Sequence, residues 1–279
     1  MVSRILRFPL TLLLIEAAAI IGLVVLVAVG TRAAGLAPGG PLAFGIALAT
    51  AGLIVLAWKG LMRWLERGTD RDFAFPGAAR ELGAGLAFGF VLFSGMTGVV
   101  ALLGGFEVLG VRGQGALWSM LAMAVTSGTF EETLFRGILF RHIETMLGSW
   151  AALGLTALLF GAAHLANPGA SAFAAFAIMM EAGILLGAAY MLTRRLWLAV
   201  GIHAAWNFTQ GWIFSVPVSG GEAPLGLLIT RRVGPDWLTG GEFGLEASVV
   251  AMIVATLAGV VMLRRAVLNG QVRPPMWKR

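Results

Sequence analysis

The sequence predicts an all-α fold, a polytopic transmembrane helical bundle of about eight spans with both termini cytoplasmic. Three observations predict it. Hydrophobic residues fill 58% of the 279 positions and charged residues only 12%, where a soluble domain carries about 25% charged residues. Apolar runs of about 20 residues, long enough to cross roughly 30 Å of hydrocarbon, recur along the chain. The basic residues lie between those runs, so the net charge of +6 reads as orientation in a membrane and not as nucleic-acid binding. The chain has no cysteine, which excludes disulfides, thiolate zinc sites and cysteine nucleophiles.

The expected spans are 9–30, 41–58, 84–105, 114–135, 150–165, 171–193, 196–216 and 243–263. All are expected to be helices, because lipid offers no partner to an open backbone group. The first follows Arg4 and Arg7. It is longer than the roughly 7–15 apolar residues of a signal peptide, so it is expected to remain as a span. Lys59, Arg63, Arg67, Arg71 and Arg80 lie between spans two and three. Arg141 lies between four and five, and Arg194 and Arg195 between six and seven. Arg264, Arg265, Arg273, Lys278 and Arg279 follow span eight. All fall on one side of the alternation, against Arg32, Arg112, Arg231 and Arg232 on the other. The positive-inside bias makes the richer side cytoplasmic. Residues 217–242 form the longest external loop. The chain reads as one membrane domain, 1–279, without the paired halves of a transporter. Its alanine-, glycine- and arginine-rich usage suggests the plasma (inner) membrane of a bacterium.

An ionisable group at the bilayer centre costs about 2.5–3.5 kcal/mol on insertion scales, so each one is a functional candidate. They are few: Glu16 in span one, Glu131, Glu132 and Arg136 in span four, His164 in span five, Glu181 in span six, and His203 in span seven with the amide Asn207. Glu132 and Arg136 are four apart, the spacing of a helical ion pair. Asn207 sits one turn beyond His203, and Phe160 one turn before His164. Glu131 is 17 residues before Gly148 and His164 is 16 after it, so an antiparallel hairpin brings them to nearly equal height. His203 joins them if that hairpin projects roughly 12 Å past the turn between spans six and seven, at about 1.5 Å per residue. One cavity, nearer the cytoplasmic side, would then collect Glu131, His164, His203 and Asn207.

That set suits hydrolysis. A carboxylate beside an imidazole can hold and deprotonate water. A histidine and an amide one turn apart can donate to the oxyanion of a tetrahedral intermediate. Glu131, His164 and His203 could instead ligate a divalent metal such as zinc. The residue types leave both readings open, with a metal or with none. The soluble zinc-protease motif H-E-x-x-H is absent. So is an intramembrane aspartate dyad, since Asp70, Asp72 and Asp236 all lie outside the spans.

Three motifs carry a resemblance. Glu131-Glu132-Thr-Leu-Phe-Arg136 fits E-E-x-x-x-R, Phe160-Gly-Ala-Ala-His164 fits F-x-x-x-H, and His203-Ala-Ala-Trp-Asn207 fits H-x-x-x-N. In this order and spacing the chain resembles the CAAX-protease and bacteriocin-processing (CPBP, or Abi) family of membrane proteins, which includes the type II CAAX prenyl endopeptidases. The resemblance covers roughly 114–210. It implies a helical intramembrane endopeptidase acting on a membrane-associated or prenylated peptide or protein. Glu131 and His164 would activate water, His203 and Asn207 would stabilise the oxyanion, and Glu132 and Arg136 would orient the others. The family is usually labelled metalloprotease, and a metal-free glutamate mechanism is the other reading. Glu181 falls outside the motifs; a partner for Arg136 is one role for it, an interhelical hydrogen bond another.

Blander roles stand beside these. Intramembrane glutamate and histidine also build proton relays, so the alternative to an enzyme is a non-hydrolytic transporter or a scaffold or immunity protein with the same polar cavity. Glu16 reads as structural or interface-facing, and Gly183 and Gly187 as helix packing. His142 reads as a solvated or headgroup residue at a hairpin tip. Trp58, Trp64, Trp150, Trp197 and Trp237 read as interfacial anchors. The expected partners are membrane lipids and the substrate.

Overall fold

The computed structural model describes residues 7–36, 40–66 and 70–278. Arg4, Arg67 and Arg279, used above for orientation, lie outside these residues. In chain order the helices begin with α1 (Pro9–Ala33), α2 (Gly40–Leu61, continued by a π-helical turn Met62–Glu66) and α3 (Ala78–Leu102). After strand β1 (Phe106–Val111), α4 (Leu117–Glu132) passes through a π segment, Thr133–Phe140, into α5 (Arg141–Leu147). Next come α6 (Ser149–Ala163), α7 (Ala172–Ile178), a π turn Met179–Gly183, and α8 (Ile184–Thr193). The chain ends with α9 (Trp197–Phe208, then a π turn Thr209–Ile213), β2 (Leu228–Arg232), the short α10 (Asp236–Thr239) and α11 (Val249–Leu268).

Among the described residues, 6 helical runs are long and apolar enough to cross a membrane: Pro9–Ala33, Gly40–Glu66, Ala78–Leu102, Ser149–Ala166, Ala172–Thr193 and Val249–Leu268. The protein is a multi-pass membrane protein. The fourth and seventh expected spans exist as helices but do not meet that standard. The fourth carries Glu131, Glu132 and Arg136 toward its end, and the seventh, its π turn included, runs only from Trp197 to Ile213. One departure from the all-helical expectation lies outside the spans. β1 and β2 pair antiparallel from Phe106 opposite Arg232 to Val111 opposite Leu228. Both come from connections, where strand pairing answers the backbone groups.

Small residues let the helices of the site approach closely. A Cβ on Gly201 of α9 would stand 2.5 Å from the Leu82 carbonyl of α3, and one on Gly89 of α3 would stand 2.5 Å from the Ile202 carbonyl of α9. Gly183 packs on Ala157, where an added Cβ would come within 2.8 Å, and Gly187 packs on Leu153. The packing role expected for this glycine pair is the observed one.

Two readings of the arginine-rich side are corrected. His142 is only 3% exposed, and its Nε2 lies 2.9 Å from Glu16 Oε2. It is not a solvated tip, because α5 folds back against α1 and Glu16 needs a partner there. Trp58 is fully buried and its indole N–H donates to Asp70 Oδ1 at 3.2 Å, so it is no interfacial anchor; the guanidinium of Arg141 lies against its ring, 5.1 Å from the centroid. Trp64, Trp150 and Trp237 are exposed. Glu16 is fully buried and accepts from Arg141 at 2.9 Å, so of its two expected roles it takes the structural one and does not face an interface.

Candidate active site

The site is assembled where α4, α6 and α9 meet the π turn before α8. Glu132 is fully buried and Arg136 is 1% exposed. Arg136 Nη1 donates to Glu132 Oε1 at 2.8 Å, the pair expected from their spacing. The other end of the guanidinium donates to the Ala182 carbonyl at 3.0 Å, and its plane covers the Phe160 ring at 4.7 Å. Glu181 is therefore not the partner of Arg136: the backbone of the π turn beside it fills that role.

Glu132 Oε1 also accepts from His203 Nδ1 at 2.8 Å. A carboxylate can only accept, so Nδ1 carries the proton and Nε2 is the reactive nitrogen. That nitrogen faces Glu131 Oε2 at 3.9 Å. Glu131 and Glu132, adjacent in sequence, thus reach the two nitrogens of one imidazole. Glu131 keeps 25% of its side chain exposed while Glu132 keeps none, so one is open to reactants and the other is enclosed. His164 ends α6. Its Nδ1 donates to the Phe160 carbonyl at 2.7 Å, which again leaves Nε2 free. Phe160 lies between the two histidines, its centroid 4.8 Å from His164 and 6.1 Å from His203. Asn207 donates through Nδ2 to Ser127 Oγ at 3.0 Å.

His164, His203, Asn207, Phe160, Glu181 and Glu246 border one small cavity of about 30 Å³. The single cavity expected from depth therefore holds three of its four residues. Glu131 stands outside it, in touch through His203. Two groups went unnoticed in the sequence. Glu246 precedes α11, is buried, and accepts from the Ser219 backbone N–H, which ties the loop after α9 to the cavity. Its signal was the one that singled out Glu181, a carboxylate inside an apolar run, since the expected span 243–263 contains it. Ser127 lies one turn before Glu131 and shares its face. Glu181 is 1% exposed and its Oε2 has no hydrogen-bond partner among the described residues.

The donors named for a metal do not fit one as arranged. Among the described residues the His, Asp and Glu groups whose ligand atoms all lie within 4.8 Å of one another are Glu16, Glu66 and His142, not Glu131, His164 and His203. The arrangement is instead a carboxylate–imidazole–carboxylate chain backed by an arginine, which can accept a proton at one end and orient the imidazole at the other.

Residues 113–209 match the family model of type II CAAX prenyl endopeptidase, Rce1-like. The matched segment runs from the turn before α4 through α9, and so contains every residue of the three motifs. It is similar to the family those motifs resemble. No curated protein and no solved structure matches the chain. Glu246 and Ser219 lie beyond the Rce1-like segment.

Proposed function

We propose that this protein is an intramembrane endopeptidase that hydrolyses a peptide bond in a membrane-associated or prenylated peptide or protein. The observation that carries the proposal is His203 standing between Glu131 and Glu132, 3.9 Å from one and 2.8 Å from the other, inside a segment with Rce1-like sequence. Glu131, the carboxylate open to reactants, takes a proton from water as that water attacks the scissile carbonyl carbon. His164 Nε2, a free acceptor, helps to hold the water. The oxyanion is met by the second N–H of the Asn207 amide and by His203 through Nε2–H when the ring carries two protons. The carbon–nitrogen bond then breaks, and the proton held by Glu131 passes to the departing amine. Glu132 and Arg136 keep the His203 ring in place and touch no reactant. No step is routed through a metal, because the donors are not gathered around a common point. The bacterial plasma membrane is the proposed location, and 114–210 the catalytic core.

The test is reconstitution of the purified chain in liposomes with a prenylated reporter peptide and a membrane-inserted one. Cleavage of either that disappears in Glu131→Ala and His164→Ala, with unchanged thermal unfolding, supports the enzyme. Cleavage by neither, together with normal cellular function of both variants, sinks it in favour of a scaffold.

A further inference from the structure

A second cavity, of about 420 Å³, lies on the arginine-rich side, away from the candidate active site. Its wall is drawn from the end of α2, the segment before α3, α5, the end of α8 and the tail after α11. Arg71, Arg141, Arg194 and Arg273 line it, against the carboxyls Glu66 and Asp72. Both carboxyls are committed. Glu66 receives Arg141 on both oxygens, and Asp72, only 6% exposed, accepts from the Tyr190 hydroxyl at 2.9 Å. Arg141 and Arg194 are bonded within the fold; the other two arginines are less fully used. Arg71 is exposed, and its guanidinium makes no hydrogen bond or ion pair among the described residues; its backbone carbonyl accepts from the Ala74 N–H at 3.3 Å. Arg273 keeps 51% of its side chain exposed, with Glu144 at 3.6 Å, and Glu144 is already gripped by Arg194 at 2.6 Å.

The space is far larger than the active-site cavity of about 30 Å³, and its lining carries four arginines against two carboxyls. Guanidinium forks match the oxygens of a phosphate. A tetrahedral anion can meet arginines from several directions at once, whereas a planar carboxylate takes one fork. Basic pockets between helix ends are also where anionic lipid headgroups bind. We infer that this basin is a binding site for a phosphate group, on a lipid headgroup or as the free ion, with Arg71 and Arg273 as its outer contacts. Neither residue belongs to the proposed catalytic machinery, so the inference stands or falls independently of the proteolytic reading.

The test is native mass spectrometry of the full chain in detergent, titrated with phosphatidylglycerol, phosphatidylcholine, inorganic phosphate or a polyglutamate peptide. Phosphatidylglycerol is expected to be retained at least about tenfold more tightly than phosphatidylcholine, and the double variant Arg71→Glu, Arg273→Glu to lose at least about tenfold of that affinity. Arg71→Gln, which removes no side-chain hydrogen bond or ion pair, should lose part of it with unchanged thermal unfolding. Arg231→Glu, on the other side, should lose none. Displacement of the lipid by inorganic phosphate supports the phosphate group itself as the recognised element; arginine-dependent lipid binding without displacement assigns the source to the lipid, and arginine-dependent binding of phosphate alone assigns it to the free ion. Equal retention of the two lipids with no phosphate binding, affinity unmoved in the double variant, or capture of polyglutamate and neither phosphate ligand overturns the inference.

Discussion

Glu131 and Glu132 are chemically identical neighbours given different surroundings. One is 25% exposed and the other fully buried against Arg136 and His203. Substitutions should separate them. Glu131→Ala should leave the thermal midpoint in place while hydrolysis of the reporter peptide falls by about 10²–10⁴, the range for a lost general base. Asn207→Ala should lower kcat by about 10²–10³, the cost of one oxyanion donor. Glu132→Ala should instead destabilise the fold by about 3–5 kcal/mol, since Arg136 would stay buried without its partner; denaturant titration in mixed micelles reads this directly. A second pair of residues gives a pH test. Burial, then the nearby Arg141, pushes His142 down to about 4 from its ordinary 6.5, so its contribution to stability is complete above pH 6.5 and is lost on acidification toward 4. Burial raises Asp72 from 3.8 to about 6, so its contribution is lost as pH rises through 6. Relative to wild type, His142→Gln should lose less stability on acidification, and Asp72→Asn should lose less on raising the pH. Unfolding midpoints at pH 4.5, 6 and 7.5, with no such divergence, would remove this account. Residue identity was well marked in the sequence, because charge inside an apolar run is costly and therefore rare. Partners were not: His142 looked like a tip residue since nothing local shows that α5 returns to Glu16.

The helices that carry the site are the irregular ones. Glu132 borders the π segment Thr133–Phe140, Glu181 lies within another, Met179–Gly183, and α9 runs into a third, Thr209–Ile213. π turns are frequent at functional sites, where they re-aim side chains. A π turn does not by itself disqualify a span, since Ala172–Thr193 qualifies with one inside it; spans four and seven fall short through charge and length. The position of α9, and with it His203 and Asn207, depends on contact with α3 through Gly85, Gly89 and Gly201. Gly201→Leu would drive a side chain into the Leu82 carbonyl, 2.5 Å from its Cβ. It should cost about 1–3 kcal/mol or more and reduce activity per folded molecule, because His203 is only two residues away. Gly95→Ala, whose Cβ meets nothing within 4 Å, is the control and should change neither. Thermal unfolding and reporter cleavage measured on the same preparations decide the matter. The apolar pattern predicted where helices begin and end to within a few residues for most spans. It could not show the π turns, since a single extra backbone residue leaves hydropathy unaltered.

At the scale of the molecule, charge distribution divides the chain into an arginine-rich side and a side bearing the paired strands. Arg194 and Arg273 gather on Glu144, and Arg141 joins Glu16 to Glu66, so the arginine-rich side is a network tying α1, α2, α5, α8 and the tail together. The proposed orientation, with that side cytoplasmic, has a simple assay because the chain has no cysteine. Cysteines at Arg112 and Arg231 should react with a membrane-impermeant maleimide on intact cells, and one at Arg264 only after lysis. The reverse pattern would invert the topology.

Composition and the spacing of rare polar residues determined, without coordinates, that the chain crosses a membrane many times and that Glu131, Glu132, Arg136, His164, His203 and Asn207 are the residues to watch. These are local properties, written in hydropathy and in three short motifs. Only tertiary structure decided that His203 and not His164 is the imidazole facing Glu131, that backbone carbonyls and not Glu181 receive Arg136, and that Glu246 joins the cavity from beyond the motifs. Those outcomes depend on rotation and depth of separate helices, set by glycine contacts and buried ion pairs between residues as far apart as Glu16 and Arg141. Distance along the chain carries no record of them.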